Sequence, residues 1–340
     1  MRELFRDSCQ TRCMMIKEQK GGNLLKQWYE QTEAVTRQVG QVIFGKEEVI
    51  REIMLAFLAG GHVLLEDIPG VGKTTLALAF SRAMRLEYRR VQFTPDVLPS
   101  DLTGFSIYRR EEERFVYQEG SVFCNLLLAD EINRTSPKTQ SALLEVMEER
   151  KVTVEGVTRA VPQPFLVIAT QNPQGSAGTQ LLPEAQVDRF MVSLSVGYPD
   201  YESELAMVLG VREQSRVEEI TPVFDAGTLQ KMQSEVDAVY LKENVADYIV
   251  RLVRATRENA DLELGGSPRA SIALTRMAKA AAWFAGREYV TPADVSGQFP
   301  YIIRHRLVPG SAARMNHKTK DAVIAEILQQ VKRPSMGLRR

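Results

Sequence analysis

The chain has 340 residues, 44% hydrophobic and 25% charged, and its 43 basic side chains balance 43 acidic ones. That length suggests about two domains, and the composition is that of an ordinary globular protein, which excludes collagen-like, disordered and disulfide-scaffold classes. Zero net charge gives no global pull toward nucleic acid or an anionic membrane surface, so both are disfavoured as partners.

Residues 1–22 read as a polar, disordered leader ending in Gly21-Gly22, with Met14 and Met15 inside it as alternative starts. Its charges recur every few residues with no apolar stretch, so it is not a signal peptide. Cys9 and Cys13 have no second Cys/His pair nearby and only Cys124 remains, so neither a zinc site nor a secreted disulfide framework is expected. The longest apolar runs are strand-sized, which argues against membrane insertion and for a cytoplasmic protein.

From Asn23 to about Val39, Leu24, Leu25, Trp28, Val35 and Val39 fall at helical spacing, and a second helix is expected over 46–59. Short unbroken apolar runs then alternate with helical patterns: 62–66, a helix from Lys73, 88–93, 123–130, a helix over 138–149, 165–170 and 190–196. Apolar strands separated by helices predict a parallel sheet covered on both faces. Beyond Gly197-Tyr198-Pro199-Asp200 the strand signals stop and only helical periodicity continues to about 330. Ser267-Pro268 and Thr291-Pro292 each read as an N-cap followed by Pro at the first helical position. The expected organisation is an α/β domain over 23–199, an all-helical domain over 200–330 and a tail over 331–340.

The strand over 62–66 runs into Asp67-Ile68-Pro69-Gly70-Val71-Gly72-Lys73-Thr74-Thr75, and a helix follows. Phosphate binding needs inward-facing amides, close approach without Cβ atoms, a helix N-terminus and one ammonium. Gly70 and Gly72 permit the approach, Lys73 suits β/γ-phosphates and the Thr74 hydroxyl suits Mg²⁺. Asp67 stands where the strict pattern has its first glycine, so the strand–loop–helix context carries the reading. The strand over 123–130 ends in Asp130-Glu131, and ligands of open α/β sheets bind at that edge. Asp130 there would hold Mg²⁺ through water, and Glu131 would polarise the water attacking a γ-phosphate. The next strand ends in Gln171-Asn172-Pro173, which taken alone reads better as an Asn-Pro turn than as a catalytic amide.

The runs LLEDIPGVGKTTLA (64–77), FTPDVLPSDLTG (93–104), LLLADEINRTSPKTQSALLEVMEE (126–149), ATQNP (169–173), LPEAQVDRF (182–190) and GGSPRA (265–270) together resemble the MoxR family of AAA+ ATPases from about residue 30 to 320. The resemblance implies a P-loop AAA+ α/β core with an all-α lid. It matches Lys73 and Thr74 to the Walker A pair, Asp130 and Glu131 to Walker B, and Asn172 to the sensor of the γ-phosphate. Arg189 matches an arginine finger offered to the neighbouring subunit's nucleotide, and Arg269 a second sensor on the first lid-helix turn. Read alone, Arg189 is equally a surface ion pair and Arg269 an ornament of a helix start, and Arg134 is not placed among the site residues.

Segments 94–120 and 151–160 resemble the two insertions of this branch, one interrupting the second helix and one a hairpin turning at Glu155-Gly156; in relatives they face a central channel. Residues 94–120 carry a net charge of −3, which would repel phosphate backbones, unless 109–114 is only a solvated hairpin tip. The resemblance implies a homo-oligomeric, hexameric Mg²⁺-dependent ATPase that remodels or matures a protein client, with a von Willebrand factor A domain protein as a candidate partner. Its rivals are a nucleotide-gated assembly switch with negligible turnover and, less favoured, a DNA-translocating motor.

Overall fold

The computed structural model describes residues 27–66, 70–172, 182–208 and 217–335. The leader, the first turn of the expected N-terminal helix, the loop residues Asp67, Ile68 and Pro69, and the end of the tail lie outside them. Helix α1 occupies residues 27–40 and α2 Glu47–Leu58. A five-stranded sheet follows, built from β1 (Val63–Glu66), β2 (Tyr88–Gln92), β5 (Leu126–Asp130), β8 (Leu166–Gln171) and β9 (Val192–Leu194). The order is β2-β5-β8-β1-β9 and every pairing is parallel, as the unbroken apolar runs predict. The crossovers carry α3 (Lys73–Ala83) and α5 (Pro137–Glu149), and α6 (Glu184–Val187) precedes β9.

Side chains alternate between two apolar layers. Val63, Leu65, Leu126, Leu128 and Ile168 face one layer with α2 and α3, while Leu64, Leu127, Ala129, Val167 and Ala169 face the other with α5. Both central strands β5 and β8 are buried along their whole length. The first layer continues without a break into the C-terminal helices, so the lid packs onto one face of the α/β core.

Segment 94–120 forms a five-residue helix, α4 (Pro99–Thr103), and a hairpin of β3 (Phe105–Arg109) and β4 (Arg114–Gln118). Residues 151–160 form a second hairpin, β6 (Lys151–Val154) and β7 (Val157–Ala160), turning at Glu155 and Gly156, both at positive φ. Ser106 Oγ donates to Glu155 Oε2 at 2.6 Å, so the tip of the second hairpin touches the base of the first. Each segment therefore contains a hairpin, and Leu102 and Val152 pack in the apolar layer that holds α5.

The C-terminal part contains α7 (Tyr201–Val208), α8 (Ala226–Ala238), α9 (Glu243–Arg257), α10 (Pro268–Phe284), α11 (Pro292–Ile303), α12 (Ser311–Met315) and α13 (Lys320–Gln330). Ser267 caps α10 by accepting the Arg269 N–H, and Thr291 and Asp294 form a reciprocal capping box on α11, with Pro at the first turn of each. The lid is helical, with one short strand pair added between its helices. Leu262–Leu264 (β10) and Val308–Pro309 (β11) pair antiparallel. Strands of three and two residues are too short to leave a periodic signal. Among the described residues no helix is long and apolar enough to cross a membrane.

Candidate functional site

After β1 the described chain resumes at Gly70 and Gly72, whose φ values of +87° and +80° lie in the left-handed region that L side chains rarely adopt. Gly72 is the residue before α3, so the first amides of that helix have no helical acceptor and point outward from its N-terminus. Lys73, the first residue of α3, is buried, a costly place for an ammonium unless negative charge faces it. Val71 turns partly onto the core beneath. Thr74 and Thr75 complete the first turn.

Three strand ends converge opposite this turn. Asp130 closes β5, and its carboxylate is held on both oxygens: Thr170 Oγ1 donates to Oδ1 at 2.8 Å and Arg90 Nη2 to Oδ2 at 2.6 Å. Thr170 Oγ1 in turn accepts the backbone N–H of Glu131 at 2.8 Å. Glu131 sits at φ +56°, a strained conformation for glutamate that aims its side chain out of the strand. Its Oε2 accepts from Gln92 Nε2 at 2.9 Å and Arg134 Nη1 at 2.8 Å, and its Oε1 from Asn172 Nδ2 at 2.9 Å. Partial burial alone would raise the Glu131 pKa, but the hydrogen bonds from Arg134, Asn172 and Gln92 outweigh it and hold the carboxyl below the usual glutamate value. Asn172 is itself buried, and its Oδ1 has no partner among the described residues.

Gly70, Gly72, Lys73, Thr74, Thr75, Asp130, Glu131 and Asn172 thus line one cleft of about 410 Å³, together with Arg90 and Gln92. The cleft lies at the carboxyl edge of the parallel strands, where α/β sheets bind ligands. Its donors suit a magnesium nucleotide: outward amides and a buried ammonium for phosphates, and a hydroxyl with one carboxylate for Mg²⁺, which takes one or two carboxylates plus phosphate oxygens. Nothing among the described residues lies within 4 Å of where a Gly70 Cβ would stand, which leaves room for it.

Arg189 and Arg269 are not in that cleft. They line a second one of about 470 Å³ between core and lid, with Arg150, Arg276, Arg306, Asp188 and Glu148 among its walls. Both guanidiniums reach the same Glu148 carboxylate, Arg269 Nη2 at 2.6 Å and Arg189 Nη1 at 3.3 Å.

Sequence reading overlooked Arg90, Gln92 and Thr170, and left Arg134 outside the site residues. Arg90 and Gln92 stand two residues apart in β2, beside the strand ending in Asp130-Glu131, so their shared face was the available signal. Nothing local singled out Thr170 or Glu148.

Residues 62–192 match the ATPase family associated with various cellular activities (AAA), and residues 254–327 match the AAA lid domain. The Bacillus subtilis protein YeaC is 45% identical over 297 residues, covering 87% of this chain and 92% of YeaC. Chaperone MoxR1 of Mycobacterium tuberculosis is 40% identical over 311 residues, covering 88% of this chain and 81% of MoxR1. A crystal structure of a Cytophaga hutchinsonii protein superposes with a TM-score of 0.85 at 37% identity, covering 95% of this chain and all of that one. On sequence, fold and lid alike, this chain belongs to the MoxR family of AAA+ ATPases.

Proposed function

We propose that this protein is a Mg²⁺-dependent ATPase whose active site is completed between copies of the chain in a ring, and that hydrolysis drives remodelling or maturation of a protein client in the cytoplasm. The observation that carries the reading is the separation of parts. The groups suited to bind and cleave ATP share one cleft, while Arg189 and Arg269 lie together in another, bound to Glu148. That separation supports a role for the two arginines at a neighbour's cleft, with Arg269 on the lid also able to act on its own.

In this reading residues 23–199 form the nucleotide-binding domain and 200–330 the lid. The loop over 67–73 and the first turn of α3 cradle the phosphates, and Lys73 neutralises the β/γ-oxygens. Thr74 and Asp130 would hold Mg²⁺, which would supply further charge neutralisation at the phosphates. Glu131, ionised at neutral pH and fixed by three donors, accepts a hydrogen bond from the attacking water. Asn172 bridges Glu131 and the terminal phosphate. Arg189 and Arg269, entering from the adjacent copy, meet charge developing in the transition state. A hexamer and a von Willebrand factor A domain partner are the forms of ring and client that the family likeness favours.

The test is phosphate release as a function of protein concentration, with Glu131→Gln as control. Specific activity is expected to climb with concentration and level off, and Glu131→Gln to bind ATP without releasing phosphate. Release that never exceeds the Glu131→Gln background would instead make the protein a nucleotide-gated switch.

A further inference from the structure

The cleft that holds Arg189 and Arg269 contains a carboxylate with no assigned role. Glu148 sits in the last turn of α5. Its Oε1 accepts from Arg269 Nη2 at 2.6 Å, and its Oε2 lies 3.3 Å from Arg189 Nη1, which also donates to the Leu144 carbonyl at 2.8 Å. One side chain of the core therefore gathers two guanidiniums, one from the turn before β9 and one from the first turn of lid helix α10.

This triad is poorly placed to stabilise the fold. Its side chains are 31%, 48% and 44% exposed for Arg189, Arg269 and Glu148, and exposed ion pairs contribute little to stability because water and salt screen them. It is well placed for exchange. Two guanidiniums offer ten N–H donors between them by their covalent structure, and one carboxylate engages few of these and leaves a net positive charge. A triphosphate brings more charge and more acceptor oxygens than the carboxylate it would displace.

The arginines are mounted on a buried frame. Asp188 accepts from Arg306 Nε at 2.6 Å and from Ser267 Oγ at 2.8 Å, and that Ser267 oxygen caps the helix carrying Arg269. Arg306 also donates to the carbonyls of Asp188, Phe190 and Met191, on either side of Arg189. Backbone positions of both arginines are thus set by the lid–core junction, and Glu148 is the side chain that both tips share, with the Leu144 carbonyl as a second anchor for Arg189. At its other end α5 begins just after Arg134, which holds Glu131 at 2.8 Å, so one 13-residue helix of about 20 Å links the cis cleft to the arginine pair.

We infer that Glu148 is a positioning residue for hydrolysis in the neighbouring copy: it keeps Arg189 and Arg269 side by side and yields them to phosphates bound in that copy's cleft. The inference rests on the shared-site reading above. Without Glu148 the two like charges lose their common counter-ion and separate. Alignment in the transition state suffers, whereas ATP affinity, governed by Lys73 and Thr74 in a different cleft, does not.

The experiment uses the full chain with Glu148→Ala and Glu148→Gln, at a protein concentration where wild-type activity per subunit has levelled. Glu148→Ala is expected to lower kcat about tenfold to a hundredfold. KM for ATP stays within about twofold. Glu148→Gln, which keeps an acceptor oxygen, falls between. Mixing Glu148→Ala with Glu131→Gln, each defective alone, then restores activity, because the intact cleft of the first meets the intact arginine face of the second. Random pairing makes about one quarter of interfaces wild-type. A mixture no more active than the sum of its parts overturns the assignment, as does a Glu148→Ala kcat within about twofold of wild type. The matching mixture of Arg189→Ala with Glu131→Gln separates the two levels. Recovery there, with none for Glu148→Ala, rejects the role of Glu148 alone, and failure of both mixtures rejects the shared site itself.

Discussion

Glu52 is a buried carboxyl in α2 that faces lid helix α11, where Gln298 Nε2 donates to it at 3.3 Å. Its second oxygen and the Gln298 carbonyl oxygen both lack partners among the described residues. Burial pushes its pKa up to about 7; Gln298 and the charge of Arg51 oppose the rise, and Glu48 adds to it. The folded state therefore binds this proton more tightly than the unfolded chain does. Stability from Glu52 is complete below the unfolded value of 4.5, declines as pH rises toward about 7, and is flat above. Glu52→Gln removes that decline, and at pH 8 it should stabilise the protein by on the order of 2 kcal/mol with little change at pH 5. Urea unfolding at the two pH values measures this, and equal effects at both would show Glu52 ionised throughout. Glu52 stood in the sequence as one more charge in an amphipathic helix, since only the docked lid removes its water.

At the scale of elements, a buried polar link at Arg306 joins the lid to the core beside their shared apolar layer. This guanidinium, its side chain 3% exposed, follows α11 and enters the turn over 188–191, where Asp188 is its counter-ion. Replacing one partner of such a pair leaves a buried charge uncompensated, so Arg306→Met should cost on the order of 3 kcal/mol. Adding Asp188→Asn should recover part of that loss, and urea unfolding of the four proteins gives the coupling. Strictly additive losses would mean that the pair does not hold the junction. The elements it joins were largely legible beforehand, because strand runs such as 126–130 and the Ser267-Pro268 and Thr291-Pro292 caps are local signals. The pairing of Leu262–Leu264 with Val308–Pro309 was not, since it joins segments that meet only after the lid helices pack.

For the whole molecule, charge balance decides between partners. Forty-three basic side chains offset 43 acidic ones, and the β3–β4 hairpin is tipped by Glu112 paired with Arg109 and Arg114. No excess of cations remains to release counterions from a phosphate backbone. Duplex or single-stranded DNA should therefore leave phosphate release unchanged within about twofold near physiological salt. Salt-dependent DNA binding with clear stimulation of the ATPase would move the protein to the translocating motors.

The sequence by itself determined the chemistry available at each strand end. Gly70, Gly72, Lys73, Thr74, Asp130, Glu131 and Asn172 follow buried apolar runs, and parallel strands deliver the residues after them to one edge. The tertiary structure decided which groups meet. Arg90 reaches Asp130 from 40 residues away because β2 lies beside β5, and Gln92 comes to Glu131 on the same edge. Arg269 reaches Glu148 from 121 residues away because the lid docks on the core, and this carries both arginines out of their own chain's cleft. Local spacing encodes a loop, a cap or a strand end, whereas sheet order and lid docking arise from burial of the entire apolar surface, which no short segment contains.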